Sequence, residues 1–220
     1  MGTTVYSLGS AQDNVIRVGL TPGPNSLGHG TNPEQGCFDD REGDDNIDFV
    51  FYENLVDKLQ GELCFDRNRV FAAGDSHGGY MADELGCHYA GDPLRPIRGV
   101  LVNDGGLPTT PAYAPTCSGK PFAGMWVHEV GDPVTPFTGA KVAIKQAMAA
   151  NGCSIGTDYD TAQLENYPIG GGNTDSTCQK IKGCPAPYPL VVCALPGNNH
   201  SRHESVAVPG FATLLTDLMP

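Results

Sequence analysis

The chain has 220 residues, with 13 basic and 25 acidic side chains and a formal charge of −12, which is enough length for one domain with a buried core. So acidic a surface repels phosphate backbones and anionic lipid headgroups, so neither nucleic acid nor a membrane is expected as a partner. Glycine and proline together make up about a fifth of the residues, which predicts many turns and shaped loops but falls short of low-complexity composition.

In chain order, Val15–Leu20 reads as a short strand, followed by a Gly/Pro/Asn loop through Cys37 and an acidic stretch from Asp39 to Asp45. That stretch lacks the alternating ligand pattern of a calcium loop, and its carboxylates suit a solvated loop capping a helix. From Asn46 to Leu63 the apolar residues Ile47, Phe51, Leu55, Val56, Leu59 and Leu63 recur at spacings of three and four, the pattern of an amphipathic helix with Asp45 or Asn46 as N-cap. Arg69–Gly74 is a buried-strand run and Gly78–Tyr89 is helical. Ile97–Val102 and Phe122–Val130 read as strands, Phe137–Asn151 as a helix, and Tyr188–Leu195 as a further strand. Pro209 can open a last helix as its first residue, packing Phe211, Leu214, Leu215 and Leu218. No repeat or linker divides the chain, so residues 1–220 are read as a single domain, irregular over 1–14. Strands alternating with helices imply an α/β fold with a mainly parallel sheet covered on both faces.

Eight cysteines, Cys37, Cys64, Cys87, Cys117, Cys153, Cys178, Cys184 and Cys193, stand without zinc-site spacing. Disulfides are the preferred reading, against eight buried thiols. They place the protein in an oxidising compartment, secreted or periplasmic, with its leader absent from this chain.

Gly74-Asp75-Ser76-His77-Gly78 matches G-x-S-x-G and lies between a strand and a helix, where a nucleophile elbow must sit. The tight turn exposes the Ser76 hydroxyl, Gly74 and Gly78 leave it room, and the backbone N–H of His77 becomes an oxyanion donor at a helix N-terminus. In this fold the acid and the histidine follow the serine in that order at later strand ends. Asp132, in Gly131-Asp132-Pro133-Val134-Thr135-Pro136, and His200, in Gly197-Asn198-Asn199-His200, hold those positions. Asp104 is an alternative acid and His203 an alternative base, while His128 reads as structural.

The run Leu63-Cys64-Phe65-Asp66-Arg67-Asn68-Arg69-Val70-Phe71-Ala72-Ala73-Gly74-Asp75-Ser76-His77-Gly78-Gly79, with Gly131-Asp132-Pro133-Val134-Thr135-Pro136-Phe137 and Asn199-His200-Ser201, resembles secreted α/β-hydrolase esterases of the feruloyl esterase and polyhydroxybutyrate depolymerase type. The resemblance implies Ser76 as nucleophile, His200 as general base and Asp132 as its orienting acid, with no cofactor and no metal. It also implies the bridges Cys64–Cys87, Cys178–Cys184 and Cys153–Cys193, leaving Cys37 with Cys117. Such enzymes take a second oxyanion donor from a His-Gly loop well before the nucleophile. His29-Gly30 lies too close to Ser76 for that part, so the second donor is unassigned and the chain looks short at its N-terminus, lacking the first strands. The implied activity is hydrolysis of aryl (hydroxycinnamoyl) esters or of polyesters, aromatic ones included. A serine peptidase and a catalytically silent binding module on the same fold are the alternatives.

Overall fold

The computed structural model describes residues 15–20, 38, 46–107, 117–154, 158–170 and 178–218. The expectations for residues 1–14, His29-Gly30, Cys37 and the acidic stretch 39–45 lie outside them.

Among the described residues a six-stranded sheet runs in the order β1-β2-β3-β6-β5-β4, from β1 (Phe71–Asp75), β2 (Gly99–Asn103), β3 (Ala123–Glu129), β4 (Leu164–Asn166), β5 (Cys178–Ile181) and β6 (Leu190–Leu195). β1, β2, β3 and β6 pair in parallel, and β5 and β4 complete the sheet antiparallel. The helices are α1 (Ile47–Glu62), α2 (His77–Tyr89), α3 (Phe137–Ala150) and α4 (Glu204–Leu218).

The period-two alternation of the central strands builds two cores. Val100, Val102, Trp126, Leu190 and Val192 point to the face covered by α1, α2 and α3. Leu101, Met125, Val127, Val191 and Leu195 point to the other, where Phe211, Leu214 and Leu215 of α4 meet them. The expected parallel sheet with helices on both faces is therefore present, and every residue of β2 and β3 is buried. β1 is the outer strand among the described residues, with Ala73 exposed.

Several elements differ from expectation. Val15–Leu20 forms no strand; the segment has no ladder partner among the described residues, and Val15 packs against the α4-side core. α1 has Asn46 as its N-cap, accepting from Asp48 N–H and Phe49 N–H, but buries Phe49, Tyr52 and Val56 and exposes Ile47, Val50 and Phe51. Two apolar stripes compete on this helix, and the aromatic one wins because Phe49 and Tyr52 pack their rings on Tyr89 of α2, at centroid distances of 5.6 and 4.7 Å. α4 starts five residues before Pro209, which lies inside it. The carbonyl of His203 accepts from Val206 N–H and Ala207 N–H, and burial of Val206 and Ala207 offsets the backbone hydrogen bond that a proline cannot make.

The bridges are Cys87–Cys117, Cys153–Cys184 and Cys178–Cys193, so the pairings implied by the resemblance are corrected. Cys178 and Cys193 stand directly opposite each other in the β5–β6 ladder, with Cα atoms 4.0 Å apart. Cys178 cannot reach Cys184, because β5 holds its own two ends about 10 Å apart. Cys184, in the turn beyond β5, meets Cys153 just past α3 instead. Cys87, buried on α2, takes Cys117, where Ser118 N–H donates to the Cys87 carbonyl. Cys64 is exposed and unbridged among the described residues.

Asp83 of α2 is buried against the sheet, and its Oδ2 accepts from Trp126 Nε1–H at 3.1 Å. Burial pushes this carboxyl up to about 8, against the smaller downward pull of the Trp126 hydrogen bond. A folded-state pKa above the unfolded value means that stability falls as pH rises from about 4 toward 8, at up to about 1.4 kcal/mol per pH unit. Asp83→Asn keeps an acceptor for the indole and removes the ionisation. Melting temperatures measured from pH 5 to 9 should therefore decline less for this variant than for the parent, and parallel curves would contradict the assignment.

Candidate active site

Ser76 follows β1 and precedes α2 at φ 56° and ψ −119°. A serine holds this left-handed conformation only where its surroundings over-determine it. Here the Ser76 N–H donates to the Asn103 carbonyl at the end of β2, and the Ser76 carbonyl accepts from Gly79 N–H and Tyr80 N–H. A Cβ on Gly74 would lie 1.8 Å from the Gly78 carbonyl oxygen, so the turn closes only with glycine there. Gly78 differs from expectation, since a Cβ on it would meet only the Phe38 ring, at an ordinary 3.9 Å. Gly79 and Gly105 approach so closely that a Cβ on Gly105 would stand 2.7 Å from Gly79 Cα, which seats α2 against the loop after β2. The helix begins at His77, so its first N–H groups have no acceptor within the helix and are available to an anion.

Asp132 lies in the turn after β3, fully enclosed. Its Oδ1 accepts from Val134 N–H (2.7 Å) and Thr135 N–H (3.1 Å), and its Oδ2 faces Thr135 Oγ1 (2.7 Å) and His200 Nδ1 (2.8 Å). Burial alone would raise this carboxyl, but the hydrogen bonds from His200, Thr135 and Val134 outweigh it and hold the group at about 2. With His200 Nδ1 turned toward Asp132, Nε2 makes no hydrogen bond among the described residues.

The loop carrying His200 leaves β6 and crosses the ends of β3 and β2 toward β1. Gly131 N–H donates to the Gly197 carbonyl, Asn103 Nδ2–H donates to both the Ser201 carbonyl (3.2 Å) and Asp75 Oδ1 (2.7 Å), and Arg202 Nε lies 3.5 Å from Asp75 Oδ2. His200 is thereby brought over the same end of the sheet as Ser76. Of the two rivals named from sequence, Asp104 and His203 bond each other (3.0 Å) and neither meets the Asp132–His200 pair through its side chain. Burial pushes the Asp104 carboxyl up, with the Ser201 N–H and His203 pulling it back.

Sequence reasoning missed Thr135, whose hydroxyl lies 2.7 Å from both Asp132 Oδ2 and the Asp104 carbonyl oxygen. His128, read as structural, is buried with Nε2 2.7 Å from the Thr135 carbonyl oxygen and 3.6 Å from Asp132 Oδ2. Asp104, His128 and Asp132 bring one ligand-type atom each within 4.8 Å of one another, but each already faces partners within the protein.

A carboxyl held below its unfolded value contributes stability that is complete above pH about 4 and is lost as pH falls through about 2. Urea unfolding at pH 5, 4, 3 and 2 should show about 2 kcal/mol lost over that range by the parent. Asp132→Asn should lack this component; an identical acid dependence in the two proteins would refute it.

No protein-family model matches the chain. Feruloyl esterase C of Emericella nidulans is 32% identical over 146 residues, which are 66% of this chain and 47% of that protein. Probable feruloyl esterase C of Aspergillus flavus is 29% identical with the same coverage, and feruloyl esterase D of Neurospora crassa is 30% identical over 62% of this chain and 42% of its own. The chain thus spans about half the length of the curated relatives it matches. The crystal structure of Arabidopsis thaliana SOBER1 F65L matches 81% of this chain and 67% of its own, with 15% identity and a TM-score of 0.49. The chain is therefore similar in sequence to feruloyl esterases, and it carries a serine, an aspartate and a histidine in that order at the ends of parallel strands.

Proposed function

We propose that the protein hydrolyses carboxylic esters through an acyl-enzyme, with Ser76 as nucleophile, His200 as general base and Asp132 as the residue that orients it. The observation that carries this reading is the 2.8 Å contact of His200 Nδ1 with a buried, ionised Asp132, on a loop that crosses the sheet toward the strained Ser76. A carboxylate at Nδ1 fixes the tautomer whose bare Nε2 accepts a proton, and it stabilises the imidazolium that forms.

In the reaction Ser76 Oγ bonds to the ester carbonyl carbon while its proton passes to His200 Nε2. The His77 N–H supports the oxyanion, and the alcohol leaves with the proton from His200. Water then attacks the acyl carbon, giving its proton to His200, and Ser76 recovers it as the acid departs. The named relatives favour hydroxycinnamoyl esters over polyester chains as substrates. The three bridges favour an oxidising, extracellular setting.

Turnover of methyl ferulate, of a small chromogenic ester and of a peptide anilide, with fluorophosphonate labelling mapped by mass spectrometry, tests the reading. Ser76→Ala and His200→Ala should each lower kcat by roughly 10³-fold or more, Asp132→Ala should lower it strongly, and the effects should not add when combined. An active Ser76→Ala variant would end the proposal. Preference for the anilide would make the protein a peptidase, and an unlabelled, inert parent would make it a binding module.

A further inference from the structure

Among the described residues three that are not glycine adopt positive φ: Ser76, Asp104 (42°) and His203 (28°). The first is the elbow serine. The other two are hydrogen-bonded to each other across 99 positions of sequence. Strain of this kind persists only where neighbouring contacts outweigh it, so the pair is itself a fixed point of the site.

Asp104 has no exposed side-chain surface, and its oxygens face donors on every side. Oδ1 accepts from Glu129 N–H (3.2 Å), and Oδ2 accepts from Ser201 N–H (2.9 Å) and lies 3.0 Å from His203 Nε2. Both Asp104 oxygens already accept backbone N–H groups, and the contact fits a His203 that presents an N–H from Nε2. Glu129 works beside it, with Oε2 accepting from Asn199 N–H and Oε1 3.8 Å from His203 Nε2. A Cβ on Gly197 would fall 2.1 Å from Glu129 Oε2, so that carboxylate reaches the loop only past a glycine. The backbone N–H groups immediately before and after that of His200 are therefore each tied to a buried carboxylate, and His203 bridges the two. The Asp104 carbonyl oxygen also lies 2.7 Å from the Thr135 hydroxyl, which touches Asp132.

We propose that Asp104 and His203 form a second carboxylate–imidazole pair that positions His200 by clamping the backbone of its loop through Ser201, without touching the reacting atoms. Both are positioning residues, and the inference rests on the ester-hydrolase reading of Ser76, Asp132 and His200. The clamp sets where Nε2 stands relative to Ser76, so loosening it should act on the chemical step more than on substrate binding. A displacement of about 1 Å at a reacting group can lower a rate on the order of 100-fold.

Two measurements on the parent, His203→Ala, His203→Gln and Asp104→Asn test it. Gln can present an amide N–H where His203 Nε2 stands, whereas Asn at 104 turns a donor toward at least one of the N–H groups it should accept from. In the first arm, amide hydrogen exchange is followed at Asn199 and Ser201. Protection should drop in His203→Ala and Asp104→Asn and persist in His203→Gln. In the second arm, kcat and KM for a small chromogenic ester are measured per active site titrated with fluorophosphonate. The expected result is a fall in kcat of roughly 10- to 100-fold in His203→Ala, KM within about two-fold of the parent, and substantial recovery in His203→Gln. Titration separates a misplaced His200 from a smaller folded fraction, because a merely structural role lowers the number of sites and leaves the rate per site unchanged. Unchanged kcat per site in His203→Ala, or a Gln variant no better than Ala, would overturn the proposal. Should His203→Ala not fold, the His203→Gln and Asp104→Asn proteins carry the same comparison. Inactivity of the parent would refute the hydrolase reading, while the exchange arm would still decide whether the clamp exists.

Discussion

The turn from β1 into α2 admits no side chain at Gly74, because a Cβ there would sit 1.8 Å from a backbone oxygen four residues later. Much of the upper rim of the sheet is arranged around that closure. With the turn drawn so tight, Ser76 is held at positive φ, the first N–H groups of α2 face outward, and the helix comes down onto Gly105 after β2. The Asn103 carbonyl then takes the Ser76 N–H, while the Asn103 side chain holds both Asp75 and the Ser201 carbonyl. One residue at the end of the neighbouring strand thus ties the serine turn to the histidine loop. The link depends on parallel register, which places Asn103 directly beside Asp75.

Electrostatics at this rim follow a consistent rule. Asp104, Glu129 and Asp132 are all withdrawn from solvent, and three buried carboxyl groups left without partners would be costly. Each is instead surrounded by N–H or O–H groups, several of them backbone amides that cannot be removed by substitution. Imidazoles from three places, His128, His200 and His203, stand against the same carboxylates. A strongly acidic chain has thereby concentrated half of its six histidines where these buried carboxyl groups lie.

The main architecture was legible in the sequence wherever a segment is long and strongly patterned. The four parallel strands, the turn at Ser76 and the placement of Asp132 and His200 beyond strand ends follow from apolar runs broken by Gly and Pro. What could not be read depends on contacts between distant segments. β4 and β5 are three and four residues long, too short to show alternation, and without them the opposition of Cys178 and Cys193 is invisible. The buried side of α1 was misjudged because both of its stripes are apolar and only packing against Tyr89 chooses between them. From sequence, Asp104 and His203 read as alternatives to Asp132 and His200. Their bond to each other follows from the path of the loop over the sheet, which no local pattern encodes. Thr135 gave no signal at all, being one hydroxyl in a turn rich in ordinary turn residues.

Trp126 is the sole tryptophan of the chain. It has no exposed surface, lies over Gly124 two residues before it on the same strand, where a Cβ would approach the indole to 2.2 Å, and donates its N–H to Asp83. Such a ring reports on one location only, the interior between α2 and the middle of the sheet. Its emission should be blue-shifted in the native protein and move to longer wavelength only when that layer is breached. Events at the rim, such as a displaced histidine loop, should leave the emission unchanged. The molecule therefore contains an optical label that separates loss of the core from rearrangement of the site, without any dye or engineered fluorophore.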